Sequence, residues 1–224
     1  MKDLAKLIQH TNVAPDATTA DIEKLCRECL EYGFDAAVVN PIWVGHAKKF
    51  LKNSDVKVCA ALNFPIGGST TLAKVVEIRN LAAMDVDEID FMVNVGFLKS
   101  GMYDAFRADI EEIVHAADGL TVKAILETAL LTTEEVTVAA RICEECGVHY
   151  IKNSTGWGKG GPATVEIIKF MRSVVGQRVK IKASGGIRDS KTAIALLNAG
   201  ADLLGSSRSV QIVTGKYLSA SSDY

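Results

Sequence analysis

Three charged residues near the ends of short β-rich runs could share one piece of chemistry: Lys152 in YIKNS, Lys182 in VKIKAS and Asp90 in EIDFM. Two lysines held close together repel. Repulsion and partial desolvation both lower a lysine's pKa, so one of the pair becomes a free amine near neutral pH. Such an amine attacks a carbonyl carbon and forms a Schiff base. Asp90 beside them is a candidate proton relay or hydrogen-bonding partner. The same three residues also read as a buried ion-pair network without chemistry, because such networks mimic active sites.

A second set could hold a phosphate. Ser184-Gly185-Gly186-Ile187-Arg188 and Gly205-Ser206-Ser207-Arg208 are short Gly/Ser runs, and Ser154 to Gly161 (STGWGKGG) follows Lys152 directly. Glycines let backbone N–H groups approach an anion, and a helix starting near Ser206 would aim its positive end at it. Each run alone reads as a turn. After the last two strands of a parallel barrel, such loops read as a phosphate site.

The elements that must position these residues are legible from punctuation. Gly33, Gly119, Gly147, Gly176 and Gly200 each fall after a helical pattern and before a β-rich run, the place of a helix-closing glycine. Helix starts are marked by Asn40-Pro41, by Thr18 with Asp21, and by Thr132 with Glu135, the last two spaced as capping boxes. The candidate strands are 7–12, 34–40, 57–63, 87–95, 120–127, 148–153, 179–184 and 201–206. Eight alternating βα units in 224 residues predict an α/β fold, a (β/α)8 TIM barrel in one domain. Residues 1–216 are assigned to the barrel and 217–224 to a flexible C-terminal tail.

Alternation along the strands predicts which side chains face the barrel interior. The inward sets are Lys180, Lys182 and Ser184; Glu88, Asp90, Met92 and Asn94; and Lys123, Ile125 and Glu127. Charges there are costly unless paired or functional.

Composition excludes several other functions. With 25 basic and 27 acidic residues the formal charge is −2, which offers no basic stripe for nucleic acid or an anionic membrane surface. The start MKDLAKL has no apolar run of a signal peptide, and no stretch approaches a membrane span, so the reading is cytoplasmic. Five cysteines fit reduced thiols better than a paired framework. Cys26/Cys29 and Cys143/Cys146 lie on apolar helical stripes, and His10, His46, His115 and His149 show no metal-ligand spacing. No metal and no cofactor are expected. Apolar residues on outward helix faces allow a homodimer contact.

The runs EIDFMVNVGFLKSG (88–101), VKAILETALLT (122–132), YIKNSTGWGKGGPAT (150–164), KASGGIRD (182–189) and GADLLGSS (200–207) resemble, in order, those of the class I deoxyribose-phosphate aldolases. The resemblance runs from about residue 7 to the end. It implies the barrel fold and reversible cleavage of 2-deoxy-D-ribose 5-phosphate to D-glyceraldehyde 3-phosphate and acetaldehyde. It also implies Lys152 as the Schiff-base lysine, Lys182 as the lysine that tunes it, and Asp90 as a proton relay through water. Gly156, Gly185, Gly186, Gly205, Ser206 and Ser207 match the phosphate-binding positions, with Thr155 and Arg208 in support. The terminal SASSDY resembles a family tail whose tyrosine, here Tyr224, moves a proton at the enamine carbon.

Three positions depart from the family pattern. Gln9 stands where an acidic residue is usual, Asn153 replaces a threonine, and Arg208 replaces a serine or glycine. None removes a catalytic group. Two other readings share the same residues: a class I aldolase of another phosphorylated aldehyde, and a phosphosugar-binding barrel without catalysis.

Overall fold

The computed structural model describes residues 2–216. After a short first helix, α1 (Lys2–Ala5), come β1 (Ile8–Asn12), α2 (Thr19–Tyr32), β2 (Ala36–Val39) and α3 (Val44–Phe50). Next are β3 (Lys57–Leu62), α4 (Thr71–Ala83), β4 (Glu88–Met92), α5 (Val95–Lys99) and α6 (Tyr103–Ala117). The remainder is β5 (Thr121–Ile125), α7 (Thr133–Glu145), β6 (Tyr150–Lys152), α8 (Val165–Val174), β7 (Lys180–Ser184), α9 (Ser190–Asn198), β8 (Leu203–Ser206) and α10 (Ser209–Thr214). The eight strands pair in chain order, all parallel, and β8 closes on β1. This is the predicted (β/α)8 barrel.

The punctuation read from sequence has a structural counterpart. Thr18 caps α2 and Thr132 caps α7, each in a reciprocal capping box with Asp21 and Glu135. Gly33, Gly119, Gly147 and Gly200 adopt positive φ before their strands, whereas Gly176 does not. The Gly176 N–H instead donates to Glu144 Oε1 at 2.8 Å, and a Cβ there would sit 2.8 Å from that oxygen.

Between sheet and helices lies a continuous apolar shell including Ile89, Phe91, Val122, Ala124, Ile151, Ile181 and Ala183. Each large side chain removed from water there contributes about 1.5–3 kcal/mol. Inside the barrel the two halves differ. From β2 and β3 come the small apolar residues Ala36, Val38, Cys59 and Ala61. From β4 to β7 come Glu88, Asp90, Lys123, Lys152 and Lys182, all buried. Short side chains on one wall leave room for lysines reaching across from the other.

Several expected boundaries and orientations change. β4 stops at Met92, so Asn94 is not an interior residue; its Oδ1 caps α5 by accepting from the Phe97 N–H at 3.1 Å. β5 stops at Ile125 because Glu127 turns to φ +55. Lys180 has the inward parity but is exposed, at the N-terminal start of β7 beside the Tyr150 ring. The last helix begins at Ser209, three residues beyond Ser206. The expected tail, 217–224 with Tyr224, lies outside the described residues.

Candidate active site

Parallel pairing sets Lys152 directly against Lys182 and Asp90 directly against Lys123. The Asp90 carboxylate is the hub. Its Oδ2 accepts from Lys182 Nζ at 2.6 Å and from Lys152 Nζ at 2.9 Å. Its Oδ1 accepts from Lys123 Nζ at 3.0 Å and from the Cys59 thiol at 3.2 Å. Lys123 also pairs with Glu88 Oε2 at 2.6 Å. Glu88 Oε1 also pairs with Lys57 Nζ at 3.3 Å, so four ammonium groups face the two carboxylates, and Lys152 and Lys182 must share one oxygen.

The electrostatics follow from that count. Burial would raise the Asp90 pKa, but Lys123, Lys152 and Lys182 overcome it and hold the carboxyl well below its usual range. Glu88 is likewise brought down to about 2 against its own burial, chiefly by Lys123 and Lys57. Burial would lower Lys123, yet Asp90, Cys59 and Glu88 lift it well above an ordinary lysine. For Lys182 burial comes first and lowers the pKa; Asp90 opposes, and Lys152 and Lys123 reinforce the lowering. Burial and the neighbouring lysines thus both work against the charged form of Lys182.

Access separates the pair. Lys182 is 0% exposed, whereas Lys152 is 5% exposed and reaches the floor of a cavity at the C-terminal end of the barrel. One side of that cavity is apolar, with Val13, Val38, Ala61 and Phe64, whose ring centroid is 5.9 Å from Lys152 Nζ. The opposite rim brings together Thr155, Gly156, Gly185, Gly186, Gly205, Ser206, Ser207 and Arg208, all expected, plus Arg188, which the sequence reading quoted but did not single out. Asp90 and Lys182 sit beneath the floor. Asp90, 1% exposed with both oxygens engaged, anchors positive charge beneath the cavity floor.

Individual rim residues do different jobs. The Ser206 hydroxyl donates to the Ile187 carbonyl at 2.8 Å and accepts from the Arg208 N–H at 2.9 Å, so it ties two loops together. The Gly156 N–H donates to Ser154 Oγ at 2.9 Å, and this glycine offers the cavity open space more than a donor. A Cβ on Gly205 would lie 3.1 Å from Lys182 Cε and 3.2 Å from Ser184 Cβ; here the missing side chain makes room for a lysine. Gly185, at φ +97, approaches the Gly161 carbonyl so closely that a Cβ would come within 2.7 Å. Ser207 is exposed at the lip.

Some positioning residues were missed or misassigned. Glu127 points its carboxylate at the next loop, accepting from the Thr155 N–H at 2.9 Å and from the Thr155 hydroxyl, which fixes Thr155 beside the cavity. Asn153 clamps β6 to β7: its Nδ2 donates to the Ser184 carbonyl at 3.0 Å and its Oδ1 accepts from the Ser184 N–H at 2.8 Å. That double bond pair is the physical role of the amide. Cys26, Cys29 and Cys143 are buried in the helical core. Burial pushes the Cys26 thiol up to about 11. Among the described residues no three His, Cys, Asp or Glu side chains gather into a metal-ligand set.

An eight-stranded parallel barrel with a crowded lysine pair under a cavity rimmed by Gly, Ser and Arg defines the class of barrel enzymes that form imines with carbonyl compounds. The chain belongs to the DeoC/LacD aldolase family, whose model matches residues 5–205. It is 46% identical to the deoxyribose-phosphate aldolase of Staphylococcus carnosus over 99% of this chain and 100% of that one. Among solved structures it resembles the aldolase QR15 at 35% identity and TM-score 0.91, covering 96% of each chain. It also resembles the tetrameric deoxyribose phosphate aldolase of Aeropyrum pernix, at 29% identity and TM-score 0.88 over 95% of this chain and 90% of that one. Among the described residues no helix is long and apolar enough to cross a membrane.

Proposed function

We propose that the chain is a class I deoxyribose-phosphate aldolase that reversibly cleaves 2-deoxy-D-ribose 5-phosphate into D-glyceraldehyde 3-phosphate and acetaldehyde. The observation that carries this reading is Lys152 at the cavity floor, sharing Asp90 Oδ2 with Lys182, directly below a Gly/Ser/Arg rim. Uncharged Lys152 adds to the C1 aldehyde of the open-chain sugar and water leaves, giving a protonated imine. The C2–C3 bond then breaks as the C3 hydroxyl loses its proton, and the bonding pair moves into the iminium to give an enamine. Protonation at C2 and hydrolysis release acetaldehyde and restore the amine. Asp90 Oδ2, in contact with both amines, is the bridge over which a proton passes between Lys152 and Lys182.

The rim supports phosphate recognition. Gly185, Gly186, Ser207, Arg188 and Arg208 all line the cavity, and backbone N–H groups of the first three together with the two guanidinium groups are assigned to the phosphate. The apolar wall of Val13, Val38, Ala61 and Phe64 suits the two-carbon acetaldehyde half. Tyr224, on the 217–224 tail, is assigned the proton transfer at the enamine carbon. A homodimer is assigned to α4, where Leu72 and Val76 stand exposed one turn apart; sedimentation velocity at micromolar concentration tests it, and a monomer would refute it.

A coupled assay that follows D-glyceraldehyde 3-phosphate tests the function. Acetaldehyde and triose phosphate are expected one to one from 2-deoxyribose 5-phosphate, with much weaker cleavage of unphosphorylated deoxyribose. No cleavage of the phosphorylated sugar would overturn the reading.

A further inference from the structure

Beside the catalytic cavity, the C-terminal end of the barrel holds a second hollow that the mechanism above does not use. The catalytic cavity is lined from β1, β2, β3, β6, β7 and β8 and the loops that follow them. The second hollow is lined by Pro65 and Ile66 after β3, Met92 and Val95 at and beyond the end of β4, Leu130 after β5 and Trp157 after β6. Thr155 lines both. In the closed ring of eight strands, β3 and β4 stand across from β7 and β8. The second hollow therefore lies on the opposite side of the barrel mouth from the loops assigned to phosphate.

A pair of rings separates the two. Phe64, after β3, and Trp157, after β6, meet edge to face with centroids 6.3 Å apart. The Phe64 centroid is also 5.9 Å from Lys152 Nζ, so an imine on Lys152 forms beside this wall. Each ring is held by its own turn. The Trp157 N–H donates to Thr155 Oγ1 at 3.0 Å, and the Trp157 carbonyl accepts from the Gly160 N–H at 2.8 Å. Before Phe64, the Asn63 carbonyl accepts from the Gly67 N–H at 3.0 Å and its Oδ1 from the Ser69 hydroxyl at 2.9 Å. Gly67, at φ +73, packs so closely on the end of β4 that a Cβ would overlap the Val93 carbonyl oxygen. Beyond the wall the lining is apolar, with Ile66 82% exposed. The charged groups there are Lys159, which is exposed, and Glu127, whose carboxylate is turned to Thr155.

We propose that Trp157 is a specificity-determining residue: its ring, set against Phe64, ends the donor side of the site at two carbons, and the apolar hollow behind it is a closed-off subsite for the alkyl chain of a longer aldehyde donor. This rests on Lys152 as the imine-forming lysine. In the enamine of a longer aldehyde, the carbon that bonds to the triose phosphate also carries the alkyl chain. With the triose phosphate on the β7–β8 side, the ring pair stands where that chain would extend.

The test reads imine formation rather than turnover. Wild type, Trp157→Ala and Trp157→Leu are incubated with acetaldehyde or hexanal in the presence of cyanoborohydride. The aldehyde loses water as it condenses with the amine, hydride reduces the imine to an N-alkyl amine, and the modified Lys152 peptide is quantified by mass. Each methylene that enters an apolar site contributes about fourfold, so opening the wall should raise the hexanal-to-acetaldehyde ratio at Lys152 by about tenfold or more in both variants. Adding Val95→Phe, which fills the hollow, should return the ratio to the wild-type value while the acetaldehyde adduct persists. An unchanged ratio in the single variants, or a gain that survives Val95→Phe, overturns the proposal. Trp157→Leu keeps an apolar side chain on the turn, so it decides the matter where Trp157→Ala loses the acetaldehyde adduct. If wild type gives no acetaldehyde adduct on Lys152, it is the assignment of Lys152 that fails, and the two failures are distinct.

Discussion

Replacing Asp90 by Asn tests the electrostatic account of the barrel interior at its hub. The Asp90→Asn side chain has nearly the volume of the native one but no charge, and the three ammonium groups now 2.6–3.0 Å from the carboxylate would be left with Glu88 alone. Removing one partner from a buried ion pair costs about 3–5 kcal/mol. A second bound comes from deprotonation: one further lysine must give up its proton on folding. At pH 7 that costs about 4.6 kcal/mol, the distance to an ordinary lysine pKa of about 10.4 at about 1.36 kcal/mol per pH unit. The two figures agree, so Asp90→Asn is expected to lose about 3–5 kcal/mol of unfolding free energy at pH 7.

The sign of its pH dependence is fixed as well. In the variant, a lysine that is neutral when folded and protonated when unfolded makes the unfolded state bind more protons, and stability rises with pH. The deficit should therefore shrink between pH 7 and about pH 10. In the wild type, the depressed Asp90 pKa contributes stability that is present above the unfolded carboxylate value of about 3.9 and is lost as pH falls below it. Urea melts of both proteins at pH 7 and pH 9.5 measure this. A loss below about 1 kcal/mol at pH 7, or one that does not change with pH, would refute the reasoning.

Gly205→Ala puts a methyl 3.1 Å from Lys182 Cε; a displacement of a few tenths of an ångström should cost about 1–3 kcal/mol of stability and about tenfold in kcat. Steady-state kinetics with a urea melt check this, and unchanged kcat would show that Lys182 has slack. Glu127→Gln weakens the grip on Thr155 and should raise KM for 2-deoxyribose 5-phosphate severalfold with little change in the melt; an unchanged KM would remove Thr155 from the rim. Deleting Tyr224 should slow deuterium exchange at the acetaldehyde methyl group while the melt stays put, and an unaltered exchange rate would retire the tail assignment.

What the sequence revealed and what it hid divide along one physical line. Alternation in KIKAS and EIDFM put Lys182 and Asp90 inside, and capping residues such as Thr18 and Thr132 located helix starts, because these are local regularities. Parity gives the face of a strand but not the height along the barrel. Lys180 and Lys182 therefore looked alike, though one is exposed at the N-terminal mouth and the other is fully buried. Glu127 was placed inside because nothing in VKAILE announces a positive φ two residues past the strand end. The Gln9, Cys59 and Lys123 contacts join residues from separate strands, 173 positions apart for Gln9 and Lys182. Only barrel closure and its register bring such groups to one level. The rim was legible as a set, yet the distinct jobs of Gly205 and Ser206 depended on which neighbour each touches.

Reductive trapping is the most direct test of the central claim, that Lys152 is the amine which bonds to substrate. Borohydride added during turnover of 2-deoxyribose 5-phosphate should leave the reduced adduct on the peptide carrying Lys152, and the enzyme should lose activity in step. An adduct on Lys182 in place of Lys152, or no adduct with activity retained, would contradict the account.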